Sequence, residues 1–292
     1  MEVLQARMEK AERLYARAGE LAEELAATGE VEGLLAVMAR LPDYDAENLL
    51  LIHEQFPRAT FLASAAYWQA EAADPGHVLL PEWEGKGIDV VVPALVPGDD
   101  LAIVPFAVKV YDVRQVAGSH VLAAPAVTDG ELESMRAALC NHLMRSDNED
   151  AYELSNGNIP DYIASSALYV LPEDPDGALL FAMLYSLCPG RPSQDDDYGT
   201  SYEEDGPEDE EPDEGPDDEP DDPDVPPEDG LDTLTPYLVA TAGLLARGLP
   251  APTLTAQGRD LVRDGLNVAS LERVRARYAD FSQLVDGVLP ER

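Results

Sequence analysis

Asn48, Gln55, Arg58, Trp68, Lys86, Lys109, Tyr111, Arg114 and Gln115 lie in one stretch of the chain and bring together amides, rings and cations. Aromatic rings stack on bases, amides meet base edges and cations neutralise phosphates. The same residues have an ordinary alternative use, in which Trp68 and Tyr111 fill a core while Asn48 and Gln55 brace buried backbone. Hydrolytic chemistry fares worse. His53-Glu54 offers the opening of a zinc-peptidase helix, but that motif needs a second imidazole four residues after the first, and Pro57 stands there. His77, His120 and His142 are scattered, with no pair at helical spacing. There is no glycine-rich phosphate loop, no nucleophile elbow and no cysteine at an informative distance from a histidine. Asp99-Asp100 and Asp147 with Glu149-Asp150 sit in turn-like polar sequence, and Asn156-Gly157 reads as a turn. These residues point to a non-catalytic binding protein with no metal site and no cofactor.

The segments NLLLIHEQFPRAT from Asn48, the following Trp68, KGIDVVVP from Lys86 and VYDVRQ ending at Gln115 resemble the N-terminal domain of the ArdC/LtrC-like anti-restriction proteins of mobile elements. The resemblance implies an accessory protein of a mobile or plasmid-derived element, with single-stranded DNA as its partner, and it is what singles out Asn48, Gln55, Arg58, Trp68, Lys86, Lys109, Tyr111, Arg114 and Gln115 as candidate contacts. It also implies a zinc-peptidase part that is lost or degenerate, since LLFAMLYSL places Phe181, Ala182 and Tyr185 where first ligand, base and second ligand would stand. One departure concerns AEAADPGHVLLPEWEG, which occupies a stretch that is basic and glycine-containing in the family and here brings Glu71, Asp74, Glu82 and Glu84.

The charge points the other way. The chain has a formal net charge of −39, divided unevenly: residues 1–190 hold 31 acids against 11 bases, residues 191–230 hold 20 against 1, and residues 231–292 hold 7 against 7. An acidic surface repels phosphate backbones and attracts basic proteins. The alternative function is therefore an acidic protein–protein interaction module engaging a basic partner. Residues 191–230 contain no Leu, Ile, Phe, Met or Trp and are studded with proline. Such a segment cannot repay the entropy of ordering and reads as a disordered acidic linker. Two cysteines, Cys140 and Cys188, make neither a disulfide framework nor a four-thiolate site and read as free thiols. The N-terminus lacks a secretory pattern and no window is apolar enough for a membrane span, so a cytoplasmic protein is expected.

The elements that must position these residues are legible from periodicity. Leu4, Met8, Ala11, Tyr15, Ala18, Ala22 and Leu25 trace one stripe of a first helix ending near Gly29, followed by a second helix over 31–40. Asp43 or Asp45 can cap a third helix, buried on most of its circumference, that stops before Pro57. Residues 59–70 read as helix. Residues 88–92 and 103–113 read as strands joined by the turn PALVPGDD, with 121–124 and 167–171 as further strands and helices over 129–144 and 178–187. Beyond the linker, one helix starts with Pro236 in its first turn, and the last starts at Ser270 with a seam of Leu271, Val274, Tyr278, Phe281, Val285 and Val288. Its polar face carries Arg273, Arg275 and Arg277. The predicted class is α+β: a small antiparallel sheet packed with helices, plus a helical C-terminal segment. Its parts are 1–190, the linker 191–230, and 231–292, which packs back on the first because its seams need a partner.

Overall fold

The computed structural model describes residues 2–70, 78–79, 85–96, 102–117, 127–188 and 230–289. Most of the 191–230 linker and the 121–124 strand expected from the sequence lie outside them. In chain order the elements are α1 (Glu2–Thr28), α2 (Glu32–Arg40), α3 (Ala46–Gln55), β1 (Leu62–Ser64), α4 (Ala65–Ala70), β2 (Val78–Leu79), β3 (Ile88–Val96), β4 (Ala102–Asp112), β5 (Val116–Ala117), α5 (Asp129–Arg145), α6 (Ala151–Ser155), α7 (Asp161–Ala164), β6 (Tyr169–Val170), α8 (Pro175–Ser186), α9 (Gly230–Ala246), β7 (Thr253–Leu254), α10 (Ala256–Gly265) and α11 (Val268–Val288). This is an α+β fold.

The sheet is antiparallel in the order β1-β4-β3, with Ile88 opposite Val110 and Leu62 opposite Asp112. The small residues Ala11, Val91 and Ala107 form their own buried contact, so α1 lies close on one sheet face. Side chains alternate along a strand, which puts Val90 and Val110 on the other face, in the main core with α3. Asp45 caps α3 by accepting from the Asn48 N–H, leaving Asp43 without that role. Leu49 to Ile52 are all buried, as four successive apolar residues on a helix require.

The same core continues into the C-terminal helices without a break. Every residue of α9 from Leu234 to Leu244 is buried, and α9 contacts α2, α8, α10 and α11. The seam of α11 is buried from Leu271 to Val285, and its residue Glu272 accepts from the Ala46 N–H at the start of α3.

Several local expectations change. Residues 59–70 split into β1 and α4, because Leu62 to Ser64 pair with Val110 to Asp112 and the sheet overrides alanine's helical preference. Pro93 to Val96 belong to β3 and not to a turn; Pro93 faces Pro105, and neither residue needs a donor it lacks. Residues 169–170 pair with β7 in a separate two-stranded ladder and not with the main sheet. Helix α9 starts at Gly230 and contains Pro236 in its interior. An interior proline costs roughly 3 kcal/mol, offset here by burial of Leu231 and Leu234. The Pro236 carbonyl also accepts from the Cys188 thiol. Helix α8 starts at Pro175, capped by Asp174, and α11 at Val268, capped by Asn267 with Ser270 completing a reciprocal pair. Helix α10 carries too sparse an apolar stripe to be read from the sequence.

Candidate functional site

The amides of Asn48 and Gln55 face the free edge of β3. Asn48 is 4% exposed; its Nδ2 donates to the Val91 carbonyl at 2.7 Å and its Oδ1 accepts from the Val91 N–H at 2.8 Å. Gln55 repeats the pattern on Asp89, with Nε2 to the carbonyl at 3.0 Å and Oε1 accepting from the N–H at 2.9 Å. Residues 89 and 91 point away from β4, and the next of that parity is Pro93, which has no N–H. Two side-chain amides and a proline thus stand in for a fourth strand along this part of the edge.

Trp68 and Tyr111 also work inward. Trp68 is 8% exposed, donates from Nε1 to the Tyr111 carbonyl at 3.0 Å and packs with Tyr111 and Val116. A Cβ at Gly87 would stand 2.8 Å from the Tyr111 ring, so the bare backbone at Gly87 admits the phenol. Lys109 ion-pairs with Asp89 at 3.1 Å, alongside Lys10 at 2.6 Å, and donates to the Gly87 carbonyl. Lys86 is exposed.

The remaining candidates converge. Asp112, fully buried, caps the turn Val113–Gln115 and accepts from the N–H groups of Thr60, Phe61 and Arg114, while Gln115 Oε1 accepts from the Asp112 N–H. Arginines hold the other side of the same loop: Arg40 donates to the carbonyls of Pro57 and Ala59, and Arg114 to that of Arg58. Burial lowers the Arg40 pKa, with the nearby Arg114 charge adding to it. Among the described residues none of Arg40, Arg58 and Arg114 forms an ion pair with a carboxylate, which is also true of Arg7, Arg13, Arg145, Arg259 and Arg277, whereas Arg17, Arg136, Arg247 and Arg275 do. What sets Arg58 and Arg114 apart is that they share a cleft. Phe56, Pro57, Arg58 and Arg114 line a cleft of about 580 Å³.

Next to this cationic loop stand two exposed rings. Phe61 is 48% exposed and Tyr67 41%, and both meet the buried Trp68 edge-on at 5.6 and 5.5 Å. Phe61, Tyr67 and Arg40 were not singled out from the sequence. The split of 59–70 into strand and helix, invisible to periodicity, is what turns two rings outward around a buried third.

A second concavity of about 810 Å³ lies between α1, α2, α3 and β7, lined by Glu24, Glu30, Glu32, Glu54, His53, Arg17 and Arg259 among others. Arg17 is tied to Glu54 at 2.6 Å and to Glu24 at 2.8 Å, leaving the rim acidic. Burial, and then the Arg40 charge, lower the His53 pKa, so its ring is neutral at pH 7.

Phe181, Ala182 and Tyr185 are buried, and Phe181 and Tyr185 join Tyr169 and Tyr237 in one aromatic cluster with ring centroids 5.0 to 6.1 Å apart. Rings occupy that space. Among the described residues no three His, Cys, Asp or Glu side chains are placed to share a metal ion. No described helix is long and apolar enough to cross a membrane. No family model, curated protein or solved structure matches the chain.

Proposed function

We propose that this protein is a non-catalytic binding module for single-stranded nucleic acid, acting as an accessory protein of a mobile or plasmid-derived element. The observation that carries the binding reading is the surface formed by Phe61 and Tyr67 beside Arg58 and Arg114. Exposed rings held by a buried tryptophan offer stacking platforms, and guanidiniums without carboxylate partners offer phosphate contacts, in a chain whose charge is otherwise strongly negative. The interface moves accordingly from Trp68, Tyr111 and Gln115, which support it from beneath, and from Asn48 and Gln55, which close the far edge of the sheet, to Phe61, Tyr67, Arg58 and Arg114. Duplex DNA buries its base faces in the stack and gives such rings nothing to meet.

The test is fluorescence anisotropy of labelled single-stranded and duplex oligonucleotides at low salt. Single strands bind, duplex binds less tightly, and Phe61→Ala and Tyr67→Ala each weaken single-strand binding roughly tenfold. Absence of binding at tens of micromolar protein rejects the proposal, as does equal affinity of the variants and the parent.

The acid-rimmed concavity around Glu24, Glu30, Glu32 and Glu54 favours the second reading, a module that engages a basic protein. Binding of a lysine- and arginine-rich peptide that is weakened by Glu30→Lys with Glu32→Lys, but not by Glu153→Lys with Glu173→Lys, supports it. Equal effects from both pairs count against it.

A further inference from the structure

We infer that the cleft of Phe56, Pro57, Arg58 and Arg114 takes a terminal phosphate monoester, so that the protein recognises the phosphorylated end of a strand and not only its interior. This rests on the binding reading above and assigns the recognised group within the same site.

The argument begins with charge. Among the described residues Arg58 and Arg114 line the cleft, Arg40 holds the loop that carries Arg58, and the carboxylate bonded to that loop is Asp112. Set against Asp112, which is spent on backbone N–H groups of the loop, the three arginines leave an excess of two positive charges among these described residues. Such an excess attracts an anion, and although carboxylates are abundant in a chain of net charge −39, among the described residues none forms an ion pair with these three. A phosphodiester within a strand carries one negative charge. A phosphate monoester carries about −1.5 to −2 and three acceptor oxygens, which matches the excess and suits guanidinium forks.

Geometry supports the same occupant. Arg114 spends Nη1 on the Arg58 carbonyl at 2.7 Å, while the Arg58 side chain makes no hydrogen bond or ion pair among the described residues. The donors left over belong to the two arginines that line the cleft. The loop is fixed in advance from both sides: Arg40 holds two of its carbonyls at 2.6 and 2.8 Å, and the Asp112 carboxylate holds the N–H groups of Thr60 and Phe61 at 2.7 and 3.2 Å. Preorganisation of this kind lowers the ordering cost of binding. Phe61 follows directly in the chain, so a terminal base can stack on its exposed ring while the end phosphate enters the cleft.

The experiment compares one short labelled sequence in three forms, with a 5′-phosphate, with a 3′-phosphate and with neither, on the full chain. A circular single strand, inorganic phosphate and nucleoside monophosphate serve as competitors. One of the two end-phosphorylated strands binds at least tenfold tighter than the unphosphorylated strand, and the circular strand competes no better than the unphosphorylated one. In Arg58→Gln the ratio falls to near one with thermal unfolding unchanged, and in Arg114→Gln, which also gives up the hydrogen bond to the Arg58 carbonyl, the ratio falls likewise while Tm drops by about 4 °C or less. Strands that bind with no gain from either phosphate overturn this inference while leaving the binding module in place. No binding of any strand removes both. Inorganic phosphate or mononucleotide binding as tightly as the phosphorylated strand overturns recognition of a strand end, and assigns the cleft to a free phosphate compound.

Discussion

Replacing Asn48 by alanine separates the structural use of this amide from a nucleic-acid contact. The Asn48 side chain is 4% exposed and Val91 3%, so water cannot replace the two hydrogen bonds lost with the Val91 N–H and carbonyl. An unsatisfied buried polar group costs about 1–3 kcal/mol, and with two such groups the loss is about 4 kcal/mol. Against a typical stability of about 5–15 kcal/mol that is severe. At about 2–4 °C per kcal/mol for a chain of this size, Tm falls by roughly 8–16 °C. Gln55→Ala removes the equivalent pair on Asp89, but at an exposed position where water takes over, and costs about 1 kcal/mol. Asn48→Asp keeps the shape and the acceptor but turns a negative oxygen toward the Val91 carbonyl. Its stability deficit shrinks as pH falls, because the protonated acid again presents a donor. Urea and thermal denaturation of the three variants, followed by circular dichroism, give these values. A loss below 1 kcal/mol for Asn48→Ala refutes the edge-closure argument. So does an Asn48→Ala protein that is folded at the assay temperature yet binds single strands tenfold more weakly, since Asn48 would then contact the ligand.

Gly258→Ala drives a Cβ into the Leu168 carbonyl oxygen and to 2.8 Å from Leu254, so the β6–β7 ladder must move, and urea titration reads a loss of roughly 3 kcal/mol. Burial pushes Tyr278 up to about 12 and raises Tyr169 and Tyr237 as well. Each folded-state pKa lies above the unfolded value, so the associated stability is complete below pH 10 and declines as pH climbs through 12. Ultraviolet titration therefore shows tyrosines that ionise only with unfolding, and a single unperturbed transition near pH 10 contradicts this. A chain ending at residue 229 exposes the α2 and α8 surfaces that α9 covers, and loses the cooperative melting of the full chain. An unchanged melting curve and a clean monomer would show that the N-terminal part needs no C-terminal helices.

What the sequence determined by itself was set by near neighbours along the chain. The stop of α3 before Pro57, the Asp45 cap three residues ahead of Asn48, the seam of α11 and the class of two long antiparallel strands among helices all follow from periods and caps that act over a few residues. Tertiary structure decided the rest. Leu62 to Ser64 became strand only because β4 offered its edge fifty residues later, and α9 continued back through Pro236 only because α2, α8 and α10 bury its first turns. The candidate site shows the same division. Residue types in VYDVRQ and NLLLIHEQ announced amides, rings and cations, but which amide saturates a strand edge and which arginine lacks a carboxylate depends on partners distant in sequence. Hydrogen bonds and charge pairs are decided by distance in space, and only the folded chain brings Arg40 and Arg114 to the loop that carries Arg58.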